Sequence, residues 1–137
     1  MAETKAFGDV RADVELKLPA EGAYASVLRT LTAGLAARLD FTMDDIEDLR
    51  IAVSEAAAMV LDEADGGADL VCRFRLEPAR LDLEVATTSS APTPPDYDGF
   101  GWQVLTTLSA EARVESVPGR YAVHLTVRSS LGEGTGF

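Results

Sequence analysis

The sequence has few of the side chains on which sulfur- or imidazole-based chemistry depends. Its 137 residues include one cysteine, Cys72, and one histidine, His124. A single cysteine excludes a disulfide within the chain, and a lone histidine has no partner residues for a metal site. Because Cys72 alternates with apolar residues in a strand-like segment, we expect a core thiol there and predict no metal site.

Long apolar runs are also missing. No stretch approaches the roughly 18 consecutive apolar residues of a membrane-spanning helix, and residues 1–11 lack the apolar segment of a secretory signal. We therefore expect a soluble cytoplasmic protein that makes no membrane contact.

Basic residues are scarce, with 12 Lys and Arg against 23 Asp and Glu and a net charge of −11. This balance repels phosphate backbones and disfavours direct nucleic-acid binding. It favours rapid association with a basic partner surface, although solubility alone is an alternative reason for it.

The remaining composition indicates one domain. Hydrophobic residues make up 47% of the chain, which is sufficient for one core at this length. We predict a tail over residues 1–8, a domain over 9–128 and a disordered, glycine-rich tail over 129–137.

Hydrophobic periodicity predicts an alternation of strands and helices. Thr42 and Asp45 form a capping pair at the start of the second helix. The predicted order is strand 10–18, helix 21–38, helix 42–64, strands 70–76 and 81–85, loop 87–98, a short helix from 99, and strands 112–114 and 121–127. This order indicates an α+β fold of two layers, with helices on one face of a mostly antiparallel sheet.

The first hairpin has a register that two patterns support together. If Leu76 pairs with Leu81, opposite charges meet on the outer face and apolar side chains meet on the inner face. The pairs are Arg75 with Asp82, Arg73 with Glu84, and Phe74 with Leu83.

Two motifs carry a resemblance to a known family. Residues 49–59 read LRIAVSEAAAM and resemble a helix of pattern L-x-x-A-V-x-E-A-x-x-N, and residues 99–108 read GFGWQVLTTL and resemble a G-x-G-L-x-(L/I/V)-(L/I) segment. With the element order over 10–127, the chain resembles the anti-sigma factor serine-kinase (RsbW-like) family, in particular its actinobacterial members with degenerate nucleotide motifs. The resemblance implies the histidine kinase-like ATPase (Bergerat, GHKL) fold, a two-layer α/β sandwich with three helices on one face of the sheet.

The resemblance also implies a function in two parts. Such proteins sequester an alternative sigma factor of the stress or sporulation type, usually as a homodimer. With ATP and magnesium they phosphorylate a serine of an anti-anti-sigma factor, the partner that controls them.

Two residues of the second helix correspond to catalytic positions of the family. Glu55 matches the motif glutamate, for which the resemblance implies a general-base role; the alternative is a solvated surface carboxylate. Met59 stands where the family has an asparagine that ligates magnesium, and a thioether is a poor magnesium ligand. Packing against a neighbouring loop is the other role that we expect for Met59.

The nucleotide motifs are partly retained. Thr87 and Ser89 lie where the family has a D-x-G-x-G adenine motif. Gly99 and Gly101 match the second glycine motif, where backbone amides cradle phosphate or form a tight turn. These departures predict that ATP binding and kinase activity are weakened or lost.

We expect an anti-sigma factor whose partner surface lies on the exposed side of the first helix and on the loop after it. The candidate contacts are Arg29, Thr32, Arg38, Asp40, Asp44 and Asp45. An active ATP-dependent serine kinase and a pseudo-ATPase scaffold for another ligand are the alternatives. Trp102 is either a packing residue or an interface anchor.

Overall fold

The computed structural model describes residues 11–131, and its elements follow the predicted order. They are β1 Val14–Pro19, a 3-10 turn Gly22–Tyr24, α1 Ala25–Ala37, α2 Met43–Glu63, β2 Asp69–Glu77, β3 Arg80–Thr87, α3 Phe100–Leu108, β4 Glu111–Val117 and β5 Arg120–Arg128. The predicted tail 1–8 lies outside the described residues. Within the described range, no helix is both long and apolar enough to cross a bilayer.

The five strands form one sheet in the order β1-β2-β3-β5-β4, and every neighbouring pair is antiparallel. In the β2–β3 hairpin Arg73 lies opposite Glu84 and Phe74 lies opposite Leu83, so the predicted register is confirmed. The three α helices pack on one face of this sheet, as predicted. Within residues 11–131 no helix covers the other face, where Glu15, Arg73, Glu84 and His124 lie.

Helix α2 is the central helix of the layer. The predicted capping pair is present, because Thr42 Oγ1 accepts a hydrogen bond from Asp45 N at 3.1 Å and Asp45 Oδ2 accepts one from Thr42 N at 3.0 Å. Helix α2 buries Leu49, Val53 and Val60, together with the small residues Ala52, Ala56 and Ala57. These small side chains let the helix approach its neighbours closely.

Strands β2, β3 and β5 supply the other half of the core. Phe74 and Leu83 are buried against the helices. Cys72 is fully buried, and its burial raises the pKa of the thiol to about 12, so the prediction of a core thiol is confirmed.

The packed chain extends past the predicted boundary at residue 128. Ser129 is fully buried; its N donates to Ala79 O at 2.8 Å, and its Oγ donates to Asp40 O at 2.6 Å. Ser130 N and Oγ each donate to Asp45 Oδ2 at 3.0 Å. Hydrogen bonds of Ser129 and Ser130 thus attach the start of the predicted tail to the domain. Residues 132–137 lie outside the described residues.

Candidate functional site

A cavity of about 260 Å³ lies between the C-terminal part of α2, the loop 88–98 and the start of α3. It brings together three predicted site residues, Met59, Gly99 and Gly101. The complete lining is Met59, Asp62, Glu63, Thr93, Pro94, Asp96, Gly99, Phe100, Gly101, Trp102 and Tyr121. Its volume is slightly below the roughly 300–1,000 Å³ of typical small-molecule sites.

Glu55 lies beside this cavity, where α2 approaches α3. A Cβ placed on Gly101 would come within 2.9 Å of Glu55 Oε1 and 3.7 Å of Met59 Sδ. Glu55 is half-buried at this contact and is not directed into open solvent. The absence of a side chain at Gly101 therefore makes room for a carboxylate.

Gly99 is also faced by a carboxylate. A Cβ at Gly99 would come within 2.8 Å of Asp96 Oδ2, and Gly99 N donates to Asp96 O at 3.1 Å. Gly99 is the N-cap residue of α3, and no side chain caps this helix. The positive end of the helix dipole is thus met by the carboxylates of Asp96 and Glu55, in the region where a phosphate would otherwise be favoured.

Aromatic side chains form one wall of the cavity. The rings of Tyr97 and Trp102 meet edge to face, with centroids 5.0 Å apart and an interplanar angle of 71°. Phe100 is 76% exposed, whereas Tyr121 is only 4% exposed. Burial, together with the negative charge of Glu63 and the neighbouring Tyr97 and Asp62, raises the pKa of Tyr121.

The loop 88–98 is tied to the end of α2. Thr93 N and Oγ1 donate to the two carboxylate oxygens of Glu63 at 2.9 and 2.7 Å. Ser90 N and Oγ donate to Asp65 Oδ1 at 3.0 and 3.1 Å. Both oxygens of Glu63 are therefore engaged, and the loop closes this side of the cavity.

The structure does not bring Thr87 or Ser89 to the cavity lining. Thr87 is buried at the end of β3, and its Oγ1 donates to Asp69 O at 2.8 Å. Ser89 is buried, and its carbonyl accepts a hydrogen bond from Gly119 N at 2.7 Å. The proposed adenine contact at Thr87 is thus separated from the glycine positions, because its hydroxyl is used to join two strands.

Among the predicted partner contacts, Thr32 does not lie on the exposed side of α1. It is fully buried, and its Oγ1 donates to Leu28 O at 2.7 Å. The buried stripe of α1 runs through Leu28, Thr32 and Ala36, so the placement of Thr32 on the exposed side is wrong. Arg29 is half-buried.

The other candidates lie around the α1–α2 connection. Arg38, Asp40 and Asp44 are exposed. Asp45 belongs to the capping box; burial raises its pKa, but the hydrogen bonds from Ser130 and Thr42 outweigh this and hold the pKa below its usual value. Asp45 therefore has a structural use that the other three do not.

The cavity side chains do not fit a magnesium–triphosphate group. Its lining contains three acidic residues and no Lys, Arg or His. Residues 11–131 contain no group of three or more His, Cys, Asp or Glu arranged to hold a metal ion. Glu63 is engaged by Thr93, which leaves Asp62 beside the thioether of Met59, and triphosphate charge would be repelled in such a lining.

A second polar cluster lies on the helix-free face of the sheet, and sequence reasoning missed its burial. Glu84 is only 2% exposed and contacts Arg120 Nη2 at 2.9 Å and His124 Nε2 at 3.0 Å. Burial raises the pKa of Glu84, but His124 and Arg120 outweigh it and hold the pKa below the usual value. The feature of the sequence that could have located this cluster was the predicted pairing of Arg73 with Glu84.

Solved structures share this fold. The RsbU and RsbW domains of Rv1364c from Mycobacterium tuberculosis superpose with a TM-score of 0.66 at 20% identity, covering 84% of this chain and 32% of that one. A blue-light activated histidine kinase domain from Erythrobacter litoralis gives 0.58 at 16% identity, covering 85% and 64%. The chain thus has the histidine kinase-like ATPase fold.

Sequence relatives give the family. The serine-protein kinase RsbW of Bacillus velezensis is 32% identical over 127 residues, covering 77% of this chain and 79% of the relative. RsbW of Bacillus subtilis is 31% identical with the same coverage. No protein-family model matches the chain. The chain belongs to the RsbW serine-protein kinase family.

Proposed function

We propose that the chain is a cytoplasmic anti-sigma factor that sequesters an alternative sigma factor of the stress or sporulation type. It is controlled by an anti-anti-sigma partner, and its ATP binding and kinase activity are weakened or lost. Membership of the RsbW family supports the regulatory role. The acidic lining of the cavity beside Gly99 and Gly101 is the observation that supports the proposed loss of activity.

Phosphoryl transfer depends on positioning and on neutralising the charge of the transferred group, usually with magnesium and a basic side chain. In this cavity Met59 replaces the expected oxygen ligand, and Asp62, Glu63 and Asp96 add negative charge. These features oppose ATP binding. They do not involve the α1–α2 connection, which remains available for protein contact.

The proposed sigma-factor surface is the α1–α2 connection, where Arg38, Asp40 and Asp44 are exposed. With the net charge of −11, the acidic residues there favour a basic partner region and salt-sensitive association. A homodimer, as in the family, is part of the proposal.

Capture of the cognate sigma factor tests the proposed role. We expect the chain to retain the sigma factor at low salt and to release part of it at high salt. The double variant Asp40→Asn/Asp44→Asn should weaken capture about threefold or more, whereas Glu47→Gln, also exposed on α2, should leave it unchanged. No complex at any salt concentration would contradict the proposal.

The second candidate function is an active serine kinase, which the position of Glu55 against Gly101 favours. Labelled ATP, magnesium and an anti-anti-sigma substrate decide between the two. We expect no transfer above background. Transfer that Glu55→Ala abolishes and Glu47→Ala preserves would establish the kinase instead.

A further inference from the structure

Two residues with side chains adopt backbone conformations that normally require glycine. Within residues 11–131, the non-glycine residues with a positive φ are Asp40, at 65°, and Ala79, at 63°. This left-handed region costs energy for a residue with a Cβ atom. Such residues persist only where the surrounding structure holds them in place, so their contacts show what holds them.

One buried serine contacts both of them. Ser129 is fully buried; its Oγ donates to Asp40 O at 2.6 Å, and its N donates to Ala79 O at 2.8 Å. Ala79 N in turn donates to Leu39 O at 3.1 Å, which joins the turn between β2 and β3 directly to the α1–α2 connection. Three segments that are distant in the sequence thus meet at Ser129.

Asp40 lies at the point where the chain leaves α1. Phe41 N donates to Ala36 O at 3.4 Å, which closes the end of the helix around Asp40. Glycine is the usual residue at such a position, because it lacks a Cβ atom. Here the position carries a carboxylate that is exposed to solvent. The fold thus places a charged group on the proposed partner surface at an energetic cost, and strained residues cluster at ligand-contacting sites and switch regions.

We propose that Ser129 is a positioning residue, which holds Asp40 in the left-handed conformation and so presents the Asp40 carboxylate to a basic region of the sigma factor. The inference rests on the proposed function for the identity of that partner. It goes beyond that function by making the α1–α2 connection a preformed surface, whose geometry depends on the residue directly after β5. A preformed surface loses less conformational entropy on association.

The backbone of Asp40 is tested without any partner. At positive φ the amide and α protons of one residue lie close together, which gives an intense cross-peak between them in a nuclear Overhauser spectrum. We expect this cross-peak for Asp40 in the unchanged chain and a marked loss of its intensity in Ser129→Ala. The control is Ser109→Ala, which removes a hydroxyl that donates to Leu105 O at the end of α3 and should leave the Asp40 cross-peak unchanged.

Capture of the cognate sigma factor tests the consequence for binding. Ser129→Ala keeps the Asp40 carboxylate and should weaken capture about twofold, whereas Ser109→Ala should leave it unchanged. Asp40→Asn removes the charge and introduces a residue that tolerates the left-handed conformation. If Ser129 acts through Asp40, the double variant Ser129→Ala/Asp40→Asn should capture no more weakly than Asp40→Asn alone. A loss that came only from lower stability would instead add to that of Asp40→Asn.

Ala79→Gly separates positioning from a general loss of stability. Glycine adopts a positive φ without strain, so this change should raise the urea midpoint of Ser129→Ala while Asp40 still lacks its hydrogen-bond donor. We expect Ser129→Ala/Ala79→Gly to be more stable than Ser129→Ala and still to capture the sigma factor about twofold more weakly than the unchanged chain. Capture that recovers together with stability would overturn the inference.

Two further results overturn it: an undiminished Asp40 cross-peak in Ser129→Ala, or additive losses of capture in Ser129→Ala/Asp40→Asn. If the unchanged chain captures the sigma factor and Ser129→Ala captures it equally well, only the positioning role fails. If the unchanged chain captures no sigma factor, the proposed function fails, and the positioning role toward that partner fails with it. The behaviour of the unchanged chain therefore distinguishes the two failures.

Discussion

Two groups of acidic side chains lie on opposite sides of the sheet, and they differ in what balances their charge. On the helix-free face Glu84 is buried between Arg120 and His124, at 2.9 and 3.0 Å. On the helix side Asp62 and Asp96 line a cavity that contains no basic side chain. A carboxylate whose cations are in place stabilises the fold, whereas the carboxylates of Asp62 and Asp96 are exposed to solvent.

Glu84, Arg120 and His124 form the balanced cluster. Its arrangement follows from the strand register. Glu84 lies opposite Arg73 of β2 and opposite His124 of β5. Alternation along each strand sends all three side chains to the same face of the sheet. The acids of the cavity have no such arrangement, because they come from a helix end and a loop.

The largest expected effect comes from breaking the balanced cluster. Glu84→Ala leaves His124 and Arg120 without their buried carboxylate, and removing one member of a buried pair typically costs about 3–5 kcal/mol. Because Arg120 also contacts Glu115 at 3.0 Å, we expect a loss of about 3 kcal/mol in the free energy of unfolding, measured with urea.

The matched control is Glu15→Ala. Glu15 lies on the same face and pairs with Arg73 at 3.2 Å, but its side chain is 62% exposed. Exposed pairs contribute about 0–1 kcal/mol. If the two variants lost equal stability, the distinction between a buried, balanced acid and a surface acid would fail.

The next effect is a pH dependence that belongs to the balanced cluster. The pKa of Glu84 in the folded protein lies below its usual value of 4.5. Its stabilising contribution is therefore present above about pH 4.5 and is lost as the pH falls through the folded-state pKa. Urea unfolding of Glu84→Gln between pH 7 and pH 3 should therefore show a shallower loss of stability than the unchanged chain. The lowered pKa of Asp45 acts in the same direction in both proteins, so the difference between them isolates Glu84. Parallel curves would contradict the assignment.

The sequence predicted the parts of this comparison that depend on local pattern. Opposite charges in the β2–β3 hairpin fixed the pairing of Arg73 with Glu84, and the Thr42–Asp45 pair fixed the start of α2. Thr32 was misplaced because the apolar residues of α1 form overlapping stripes, and a threonine can be buried when its hydroxyl bonds to the carbonyl one turn earlier. Which stripe faces the core depends on the neighbouring helix.

The candidate site was predictable only in part for the same reason. The resemblance to the family's motifs grouped Met59 with Gly99 and Gly101. The contribution of Tyr121 depends on β5 returning to the middle of the sheet, and that of Asp96 depends on how the loop packs on α2. Such contacts join distant parts of the chain and leave no periodic signal.

The smallest effect should come from the loop that closes the unbalanced site. Thr93→Val removes the hydroxyl donor to Glu63 but keeps the backbone donor, so we expect a stability loss of about 0.5–1 kcal/mol. Hydrogen exchange should become faster in the loop 88–98 and stay unchanged in β3 and β5, where the balanced cluster lies. Thr107→Val, an exposed change on α3, should alter neither. Faster exchange throughout the sheet would mean that the loop supports the whole fold. An unchanged loop would mean that the Thr93–Glu63 contact does not shape the cavity.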